Sequence, residues 1–352
     1  MWQFSPPTRF GTKYKDPIVN TKNIHLYTYA NVVDIIANEN VSEIKEVTIK
    51  NYAGKQHTVR SKYFILACCS VQNARLLLAA NKQAPKGLGN DHDHVGRYFM
   101  EHLEIKTGSL WIADPSDVKL YMMEFGKTKA RAELAISEKI QTEHKILNGT
   151  SSLSPLEIAA NRPAFIEVWT DEKDAMKKTI SKLGSGEKKS DIYIPKGFKA
   201  YQLFTRMEQA PNPDSRITLD TEKDSLGMPR AMLNWELTPL EKNSLRMINT
   251  IIGEEVGRVS MGRVKVYDYL QDEKDENWPS FTGGGWHHMG TTRMSDDPKQ
   301  GVVDPKCKIH NLNNLYVAGS SCYVTAGAVN PTLTLIALTV RLSDHLKQRM
   351  KN

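Results

Sequence analysis

The densest group of chemically useful residues in this chain is the segment Gly283–Met294, with the sequence GGGWHHMGTTRM. Its three leading glycines allow the backbone to turn tightly or to approach a ligand closely. His287 and His288 follow, and imidazole is the side chain best suited to proton transfer near neutral pH. These residues alone leave two interpretations open: a glycine-rich loop with one histidine packed and the other solvated, or a loop that presents a general base.

Metal binding is a third interpretation of the same histidines, because Asp296, Asp297 and His310 follow along the chain. Adjacent histidines in an extended loop point to opposite sides, however, and the sequence contains neither H-x-x-x-H nor H-E-x-x-H. We therefore predict no metal site.

A second candidate is the segment Ala326–Thr332, with the sequence AGAVNPT. Asn330 is typical of a helix N-cap and Pro331 of the first helical position. A helix N-terminus carries about half a positive charge and free N–H groups, so it stabilises an anion placed against it. The small residues before Asn330 leave room for a flat ligand.

Two strand–helix pairs are predicted to position these segments. The apolar run Tyr63–Cys69 predicts a strand buried on both faces, followed by a helix with Ser70 as its N-cap. The run Asn314–Ser321 predicts a second buried strand. The helix from Asn330 to about Met350 is predicted to be buried all round in its first half. This order of strand, turn and helix indicates an α/β layer.

Other extended segments are predicted before and between these pairs. Before them we expect two extended pieces and a hairpin, at Asn23–Tyr29, at Val32–Ile36, and at Glu46–Lys50 with His57–Arg60. Between them we expect short strands at Leu103–Trp111, Phe165–Trp169, Lys199–Met207, Arg216–Leu219, Ala231–Leu237 and Val264–Tyr269. A helix is expected to begin at Pro239, with Thr238 as N-cap. The middle of the chain is thus predicted to form a separate antiparallel sheet domain that carries a helix.

The composition is that of a globular protein. The chain has 352 residues, of which 40% are hydrophobic and 25% charged, which argues against disorder. This length suits roughly two domains. No apolar run approaches the ~18 residues of a membrane helix, and the first residues lack the pattern of a signal peptide. We therefore expect a cytoplasmic location by default, or a periplasmic one if a leader precedes the chain.

The net charge is +7, from 47 basic and 40 acidic residues. This charge is mild for the length, and without an aromatic–basic module it argues against nucleic-acid binding, although an anionic substrate stays open. The four cysteines are Cys68, Cys69, Cys307 and Cys322, and no C-x-x-C pair occurs among them. They are expected to be reduced and buried, which favours a reducing compartment.

Four C-terminal segments together carry a resemblance to a known family. They are His287-x-x-Gly290-Thr291, Gly301–Asp304, Asn314–Ser320 and Asn330–Thr334. Segments of the same pattern occur earlier, at Leu66–Ser70, Asn73–Leu77, Val95–His102 and Asn212–Ile217. Over essentially its whole length the chain resembles the glucose–methanol–choline (GMC) flavin oxidoreductases. The resemblance is strongest to their bacterial sugar and polyol dehydrogenase and pyranose oxidase branch.

The resemblance implies an FAD enzyme that oxidises an alcohol such as a sugar or polyol. In this family a substrate C–H bond delivers hydride to the flavin while a base takes the hydroxyl proton. The match implies that His287 is this base and that Asn330 holds the substrate oxygen. His102 is expected to be a packed interface residue, and His288 either a structural residue or one that supports the residues touching the substrate. The cofactor-binding residues that the match implies are Val32, Ala318, Gly319, Ser320, Asn330, Pro331 and Thr332.

The fold that the resemblance implies is α/β and discontinuous. An incomplete Rossmann-like FAD-binding domain is expected over 1–100 and 281–352, and an antiparallel substrate-binding domain over 101–280. The family's N-terminal G-x-G-x-x-G turn, which grips the FAD diphosphate, does not occur in this sequence. In addition, Cys68 and Cys69 stand where the family has small residues.

Three interpretations of the missing turn are open. The chain is a C-terminal piece whose chemistry needs the rest of the enzyme, or it is a subunit completed by a separately encoded N-terminal half. The third is a non-catalytic module that binds a sugar or a protein partner. An electron-acceptor protein is a further partner that the family implies. An exposed apolar surface on the chain would favour the first two interpretations.

Overall fold

The computed structural model describes residues 2–4, 8–112, 114–118, 121, 129–156, 199–272, 275 and 277–351, and the predicted strand Phe165–Trp169 lies outside them. The described strands are β1 (Trp2–Phe4), β2 (Asn31–Ala37), β3 (Ile44–Lys50), β4 (Gln56–Val59), β5 (Phe64–Leu66), β6 (Leu103–Ile112), β7 (Lys129–Arg131), β8 (Leu134–Ala135), β9 (Gly149–Pro155), β10 (Lys199–Met207), β11 (Arg216–Lys223), β12 (Pro229–Asn234), β13 (Gly262–Val266), β14 (Gly283–Gly284) and β15 (Leu315–Val317). The described α-helices are α1 (Phe10–Lys13), α2 (Lys15–Asn20), α3 (Cys69–Ala79), α4 (Glu138–His144), α5 (Pro239–Arg258) and α6 (Thr332–Lys351).

The chain divides into two compact units. The sheet unit contains the described residues of Met1–Pro6, Leu103–Met207 and Pro239–Gly284. The site unit contains those of Pro7–His102, Glu208–Thr238 and Gly285–Asn352. The predicted domain limits near 100 and 281 lie within a few residues of two of these boundaries. Residues 208–238 need a correction, because they pack with the site unit rather than with the predicted substrate-binding domain.

The sheet unit is built on one antiparallel sheet. Its strand order is β13–β6–β10–β9–β8, and β14 also pairs with β6. Helix α5 begins at Pro239, as predicted, and is joined to the sheet by buried polar side chains. The Thr107 hydroxyl donates to Asn249 Oδ1 at 2.7 Å, and the Thr107 and Thr205 hydroxyl oxygens lie 2.8 Å apart. These partners offset the free energy that burying the polar groups costs.

The site unit contains three small sheets. The predicted hairpin is present as β3–β4, and β2 extends it into an antiparallel sheet. Strands β11 and β12 pair with each other, and β5 runs parallel to β15. Buried side chains from the hairpin, α3, β5, β15 and the end of α6 form one hydrophobic core. The predicted strand–helix pairs therefore exist, with strands of only three residues each.

The Asn314 side chain ties the parallel pair to the hairpin. Its Oδ1 accepts the Ile44 N–H at 2.8 Å, and its Nδ2 donates to the Ile44 carbonyl at 2.9 Å. The Asn314 backbone carbonyl accepts the Phe64 N–H at 2.8 Å. The Asn314 amide thus bonds the first residue of β3, where β4 does not pair with it, and the Asn314 backbone carbonyl starts the pairing of β15 with β5.

Two predicted burial patterns are wrong. Strand β5 buries Phe64 and Leu66, but Ile65 between them is 48% exposed, because successive strand residues point to opposite faces. In α6, Leu342 and Leu346 are the buried side chains, whereas Leu333 is 81% exposed. Only one face of each element is packed against other described residues.

Two smaller expectations also differ from the structure. The segment Asn23–Tyr29 forms no strand, and several of its apolar side chains are exposed. Cys68 and Cys69 are exposed, whereas Cys307 and Cys322 are buried as expected. Among the described residues, no helix combines the length and the hydropathy needed to pass through a lipid bilayer.

We expect Asn314→Asp to destabilise the site unit strongly. The substitution replaces the amide N–H₂ that donates to the Ile44 carbonyl with a second acceptor oxygen, and it buries a charge. The expected loss is about 1–3 kcal/mol in the free energy of unfolding, measured by urea denaturation.

The matched control is Asn313→Asp, because Asn313 is exposed and its backbone N–H, not its side chain, makes the bond to Ser42. This variant adds the same charge one residue earlier and should unfold within about 0.5 kcal/mol of the wild type. Equal losses in the two variants would contradict the role given to the Asn314 amide.

Candidate active site

The segment Gly96–His102 is fixed by hydrogen bonds on both sides. The Gly96 N–H donates to the Thr291 carbonyl at 2.8 Å, and the Gly96 carbonyl accepts the Ile217 N–H at 2.8 Å. Further along, the Ser215 carbonyl accepts the Phe99 N–H at 2.8 Å. Three segments that are far apart in sequence therefore meet here, and each belongs to the pattern noted in the sequence.

A partly exposed ion cluster holds the start of this segment. Arg97 donates through Nε to Asp93 Oδ2 at 2.9 Å, and Arg216 donates through a terminal nitrogen to Asp93 Oδ1 at 3.0 Å. Burial acts to raise the pKa of Asp93, but the hydrogen bonds from the two arginines outweigh it and hold the pKa below its ordinary value. Asp93 is thus kept ionised, and it fixes β11 against the turn that precedes Gly96–His102.

The histidine loop Gly285–Gly290 lies against the end of the same segment. The Gly285 N–H donates to the His102 carbonyl at 3.0 Å, and Met100 and Met289 form an antiparallel bridge. Gly290 has a φ of +87°, and a Cβ there would lie 2.1 Å from the Tyr98 carbonyl oxygen. Only glycine fits at the end of this loop, which explains the glycine in H-x-x-G.

The Glu101 carboxylate fastens the two histidine-bearing segments together. Its Oε1 accepts the His102 N–H at 2.8 Å and the His287 N–H at 2.6 Å. Its Oε2 lies 3.4 Å from His288 Nε2. The Glu101 side chain is only 5% exposed, so these interactions form away from water, where they are strong.

The His287 imidazole meets a second, fully buried imidazole. His102 Nδ1 and His287 Nδ1 are 2.9 Å apart, and the ring planes are inclined by 75°. His102 is 0% exposed, whereas His287 is partly exposed. His102 was expected to be a packed interface residue and is buried, and its ring is in addition a hydrogen-bond partner of the predicted base.

The backbone and the ring of His288 both contact neighbouring segments. Its carbonyl accepts hydrogen bonds from Ser70 Oγ at 2.6 Å and Ser320 Oγ at 2.7 Å, and its ring lies 5.4 Å from that of Phe99. Ser70 is therefore not the predicted N-cap of α3. Cys68 is the cap residue, and its N–H donates to the Asn73 side chain at 2.9 Å.

The predicted cofactor-binding residues of β2 and β15 lie in the site unit. Val32 is on β2, partly buried against the hydrophobic core. The Ala318 N–H extends the parallel pairing by donating to the Leu66 carbonyl at 2.8 Å. Gly319 follows with φ +136° and ψ 179°, a conformation open essentially to glycine alone, and Ser320 contacts the histidine loop as described above.

The remaining predicted residues are at the start of α6. Asn330 is exposed, and its side chain makes no hydrogen bond to another described residue. Thr332 is the first helical residue, and the Pro331 carbonyl accepts the Leu335 N–H at 2.9 Å, so Pro331 rather than Asn330 caps the helix. The Pro331 carbonyl also accepts the Tyr323 hydroxyl at 2.7 Å.

A small apolar cluster connects this helix start to the histidine loop. It consists of Met100, Met289, Tyr323 and Ala326, with Leu335 and Leu338 packed against it. Met289, two residues after His287, and Leu335, near the start of α6, are thus parts of the same hydrophobic cluster. No described hydrogen bond joins the Asn330 side chain to His287.

Glu101 is a residue of the candidate site that sequence reasoning did not single out. One signal for it exists, since a carboxylate stands beside His102 directly before the largely apolar strand Leu103–Ile112. Glutamate is almost never buried unless it is paired, so a buried Glu101 must have partners. One of these partners, His287, is distant in the sequence and could not be named without the fold.

Comparisons with known sequences give related proteins. The profile described as GMC oxidoreductase matches residues 211–339. The chain is 29% identical over 309 residues to 2-methyl-1,2-propanediol dehydrogenase from Mycolicibacterium austroafricanum, covering 86% of this chain and 51% of that protein. It is 25% identical over 308 residues to the fructose dehydrogenase large subunit of Gluconobacter japonicus, covering 84% and 49%. It is 24% identical over 311 residues to pyranose 2-oxidase from Tricholoma matsutake, covering 87% and 50%.

The chain therefore spans about half the length of the curated relatives it matches. Among solved structures, an FAD-dependent oxidoreductase from Chaetomium thermophilum superposes with a TM-score of 0.58 over 97% of this chain and 64% of that one, at 12% identity. At this identity the likeness establishes the fold alone. The relatives' names agree with the predicted sugar, polyol and pyranose branch. The GMC oxidoreductase profile thus matches residues 211–339, and over most of its length the chain is similar to these dehydrogenases and oxidases.

Proposed function

We propose that this chain supplies the proton-accepting part of an FAD-dependent enzyme that oxidises an alcohol, such as a sugar or a polyol. The observation that carries the proposal is the site around His287. Its backbone N–H is bound by a buried carboxylate, and its ring is hydrogen-bonded to a buried imidazole. A histidine that served only to fill space would not need two such polar partners, because burying them costs free energy.

The residues at the end of β15 and the start of α6 fit a flat dinucleotide cofactor. A Cβ built on Gly319 or on Gly327 would meet no atom within 4 Å, so the backbone there faces open space. The first turn of α6 is exposed, and a helix N-terminus favours negative charge. We therefore assign FAD to Val32, Ala318, Gly319, Ser320, Asn330, Pro331 and Thr332.

When bound, FAD supplies the acceptor for the hydride that leaves the substrate. The chain's own residues manage the proton. His287 takes the hydroxyl proton as the C–H bond breaks, so that negative charge does not build up on the substrate oxygen. Asn330 offers an amide to the same oxygen, and the N–H groups at the start of α6 favour the charge that arrives on the cofactor.

Trp286 gives a reason to prefer a sugar-like substrate. It precedes His287, has a φ of +60°, and is 86% exposed. A side chain other than glycine in this backbone region costs free energy, and such strain clusters at functional sites. The exposed indole provides a flat apolar face beside the base, on which the C–H face of a sugar ring stacks.

We further propose that turnover requires more polypeptide than this chain. Ile65 on β5 and Leu333 and Val340 on α6 expose apolar surface in the unit assigned to FAD. Such surface on a strand–helix layer is typically covered by further strands. The completing polypeptide is the remainder of the FAD-binding domain, in the same chain or as a separate N-terminal half. The Gluconobacter relative is named as a large subunit, which supports an additional subunit or electron-acceptor protein.

The function is tested by flavin spectroscopy on His287→Gln. The enzyme is prepared from this chain alone and from this chain co-expressed with a separate polypeptide that carries the G-x-G-x-x-G segment of a GMC oxidoreductase, each with added FAD. We expect a bound-flavin spectrum in the second preparation, and bleaching of that spectrum by a sugar or polyol. Removal of the base should slow anaerobic bleaching about 10²–10⁴-fold and leave flavin content unchanged.

His57→Gln is the matched control, because His57 lies exposed on β4 of the same unit. Its bleaching rate should equal that of the wild type. A wild-type rate in His287→Gln would exclude His287 as the base, and an absence of flavin from both preparations would refute the FAD assignment.

A second prediction concerns Glu101, whose Oε1 accepts two backbone N–H groups. Glu101→Ala leaves both without their acceptor, at about 1–3 kcal/mol for each buried group. Glu101→Gln keeps one oxygen in place and should restore most of this stability. We expect amide hydrogen exchange at His287 to accelerate strongly in the alanine variant and weakly in the glutamine variant.

Glu43→Ala serves as the control, since Glu43 is an exposed glutamate of the same unit. It should leave exchange at His287 unchanged. If Glu101→Ala also leaves that exchange unchanged, the carboxylate does not hold the loop.

A further inference from the structure

The hydrogen bond between His102 and His287 limits which ring nitrogens can carry a hydrogen. It joins Nδ1 of one imidazole to Nδ1 of the other at 2.9 Å. Such a contact needs one hydrogen, so one ring donates and the other accepts. The neutral pair therefore has two arrangements, and they differ in which nitrogen of His287 is basic.

Burial distinguishes the two rings. His102 is 0% exposed, whereas His287 is partly exposed. Burial disfavours the charged form of an imidazole, so an added proton places its charge on His287. The His287 cation then donates from Nδ1 into neutral His102, and this charge-assisted bond is stronger than a neutral one.

The Glu101 carboxylate supports the same arrangement. Its Oε1 binds the backbone N–H groups of both histidines, so a negative charge is held beside the pair. That charge favours a cation at His287 and does not depend on either imidazole for its position. When the cation at His287 loses the proton from its other nitrogen, Nε2, the Nδ1–H bond to His102 stays in place.

We propose that His102 is a positioning residue that fixes His287 in the Nδ1–H tautomer, which makes Nε2 the atom that takes up the proton. The role of Nε2 toward an alcohol rests on the proposed function, whereas the tautomer does not. In the reverse arrangement His287 carries a hydrogen on Nε2 and cannot act as the base there. The inference therefore assigns a task to a side chain that no substrate atom needs to touch.

The tautomer is measured directly on the chain labelled with ¹⁵N-histidine, by long-range ¹H–¹⁵N correlation. The His287 signals are identified by their loss in His287→Gln. We expect the wild type to show a protonated Nδ1 and an unprotonated Nε2. In His102→Leu the acceptor is lost, and the Nδ1–H population should fall.

His102→Asn is the matched variant, because its Oδ1 stands near the position of Nδ1 and can only accept. It should restore the wild-type tautomer. The backbone hydrogen bonds of His102 to Glu101 and Gly285 do not involve the ring, so both substitutions leave them in place. Amide spectra are recorded to check that each variant is folded. In the flavin-loaded enzyme, the bleaching rate at saturating substrate should fall in His102→Leu and recover in His102→Asn, with the half-saturating substrate concentration unchanged.

The outcomes separate this inference from the proposed function. An Nδ1–H tautomer that depends on residue 102, in a protein without flavin bleaching, would support the positioning role and refute the function. A protonated Nε2 on His287 in the wild type would overturn the positioning role without any variant. An unchanged tautomer in His102→Leu, or no recovery in His102→Asn, would overturn it as well.

Discussion

The Glu101 carboxylate accepts the N–H groups of His102 and His287 through one oxygen and lies 3.4 Å from His288 Nε2 through the other. The two segments that it joins are more than 180 residues apart, and both carry an imidazole of the candidate site. A buried charge is tolerated only where several donors satisfy it, so its partners are obligatory rather than optional. The position of the candidate base therefore depends on this one side chain.

The frame around Glu101 is rigid for reasons that can be stated residue by residue. Gly290 takes a left-handed conformation that brings the loop against the Tyr98 carbonyl, where a Cβ would not fit. Asp93 is kept ionised by two arginines, and it anchors the turn before Gly96. Helix α6 differs from this frame, because its first turns present exposed leucine and valine side chains. The residues around the proposed base are thus packed and hydrogen-bonded to one another, whereas the start of α6, which is assigned to the cofactor, is exposed.

Helices and strands were predicted well where the pattern that encodes them lies within a few neighbouring residues. The Pro239 start of α5 and the hairpin follow from capping, alternation and turn residues within a few positions. The glycine-rich histidine loop was also identified from its residues. The His102–His287 pair was not, because 185 residues separate its members and no periodicity encodes such a contact.

The burial errors have a different physical origin. Periodicity shows which residues of an element share a face, but it does not show whether a neighbouring element covers that face. Ile65 and Leu333 are apolar, as a covered residue would be, and yet they are exposed among the described residues. The alternation in β5 was sufficient to predict one packed face. The second face depends on contacts that a single stretch of sequence does not contain.

The path of the chain has an evolutionary consequence. The chain leaves the site unit directly after His102 and re-enters it at Gly285, whose N–H is bonded to the His102 carbonyl. Apart from Glu208–Thr238, the described residues of this intervening segment belong to the sheet unit, and the segment begins and ends next to residues that carry the histidines. A lineage can therefore lengthen, shorten or recombine this intervening segment while the junction of His102 and Gly285 is inherited intact. We expect the substitutions that change substrate preference among related proteins to lie mainly in this intervening segment. The junction of His102 and Gly285 should change most slowly.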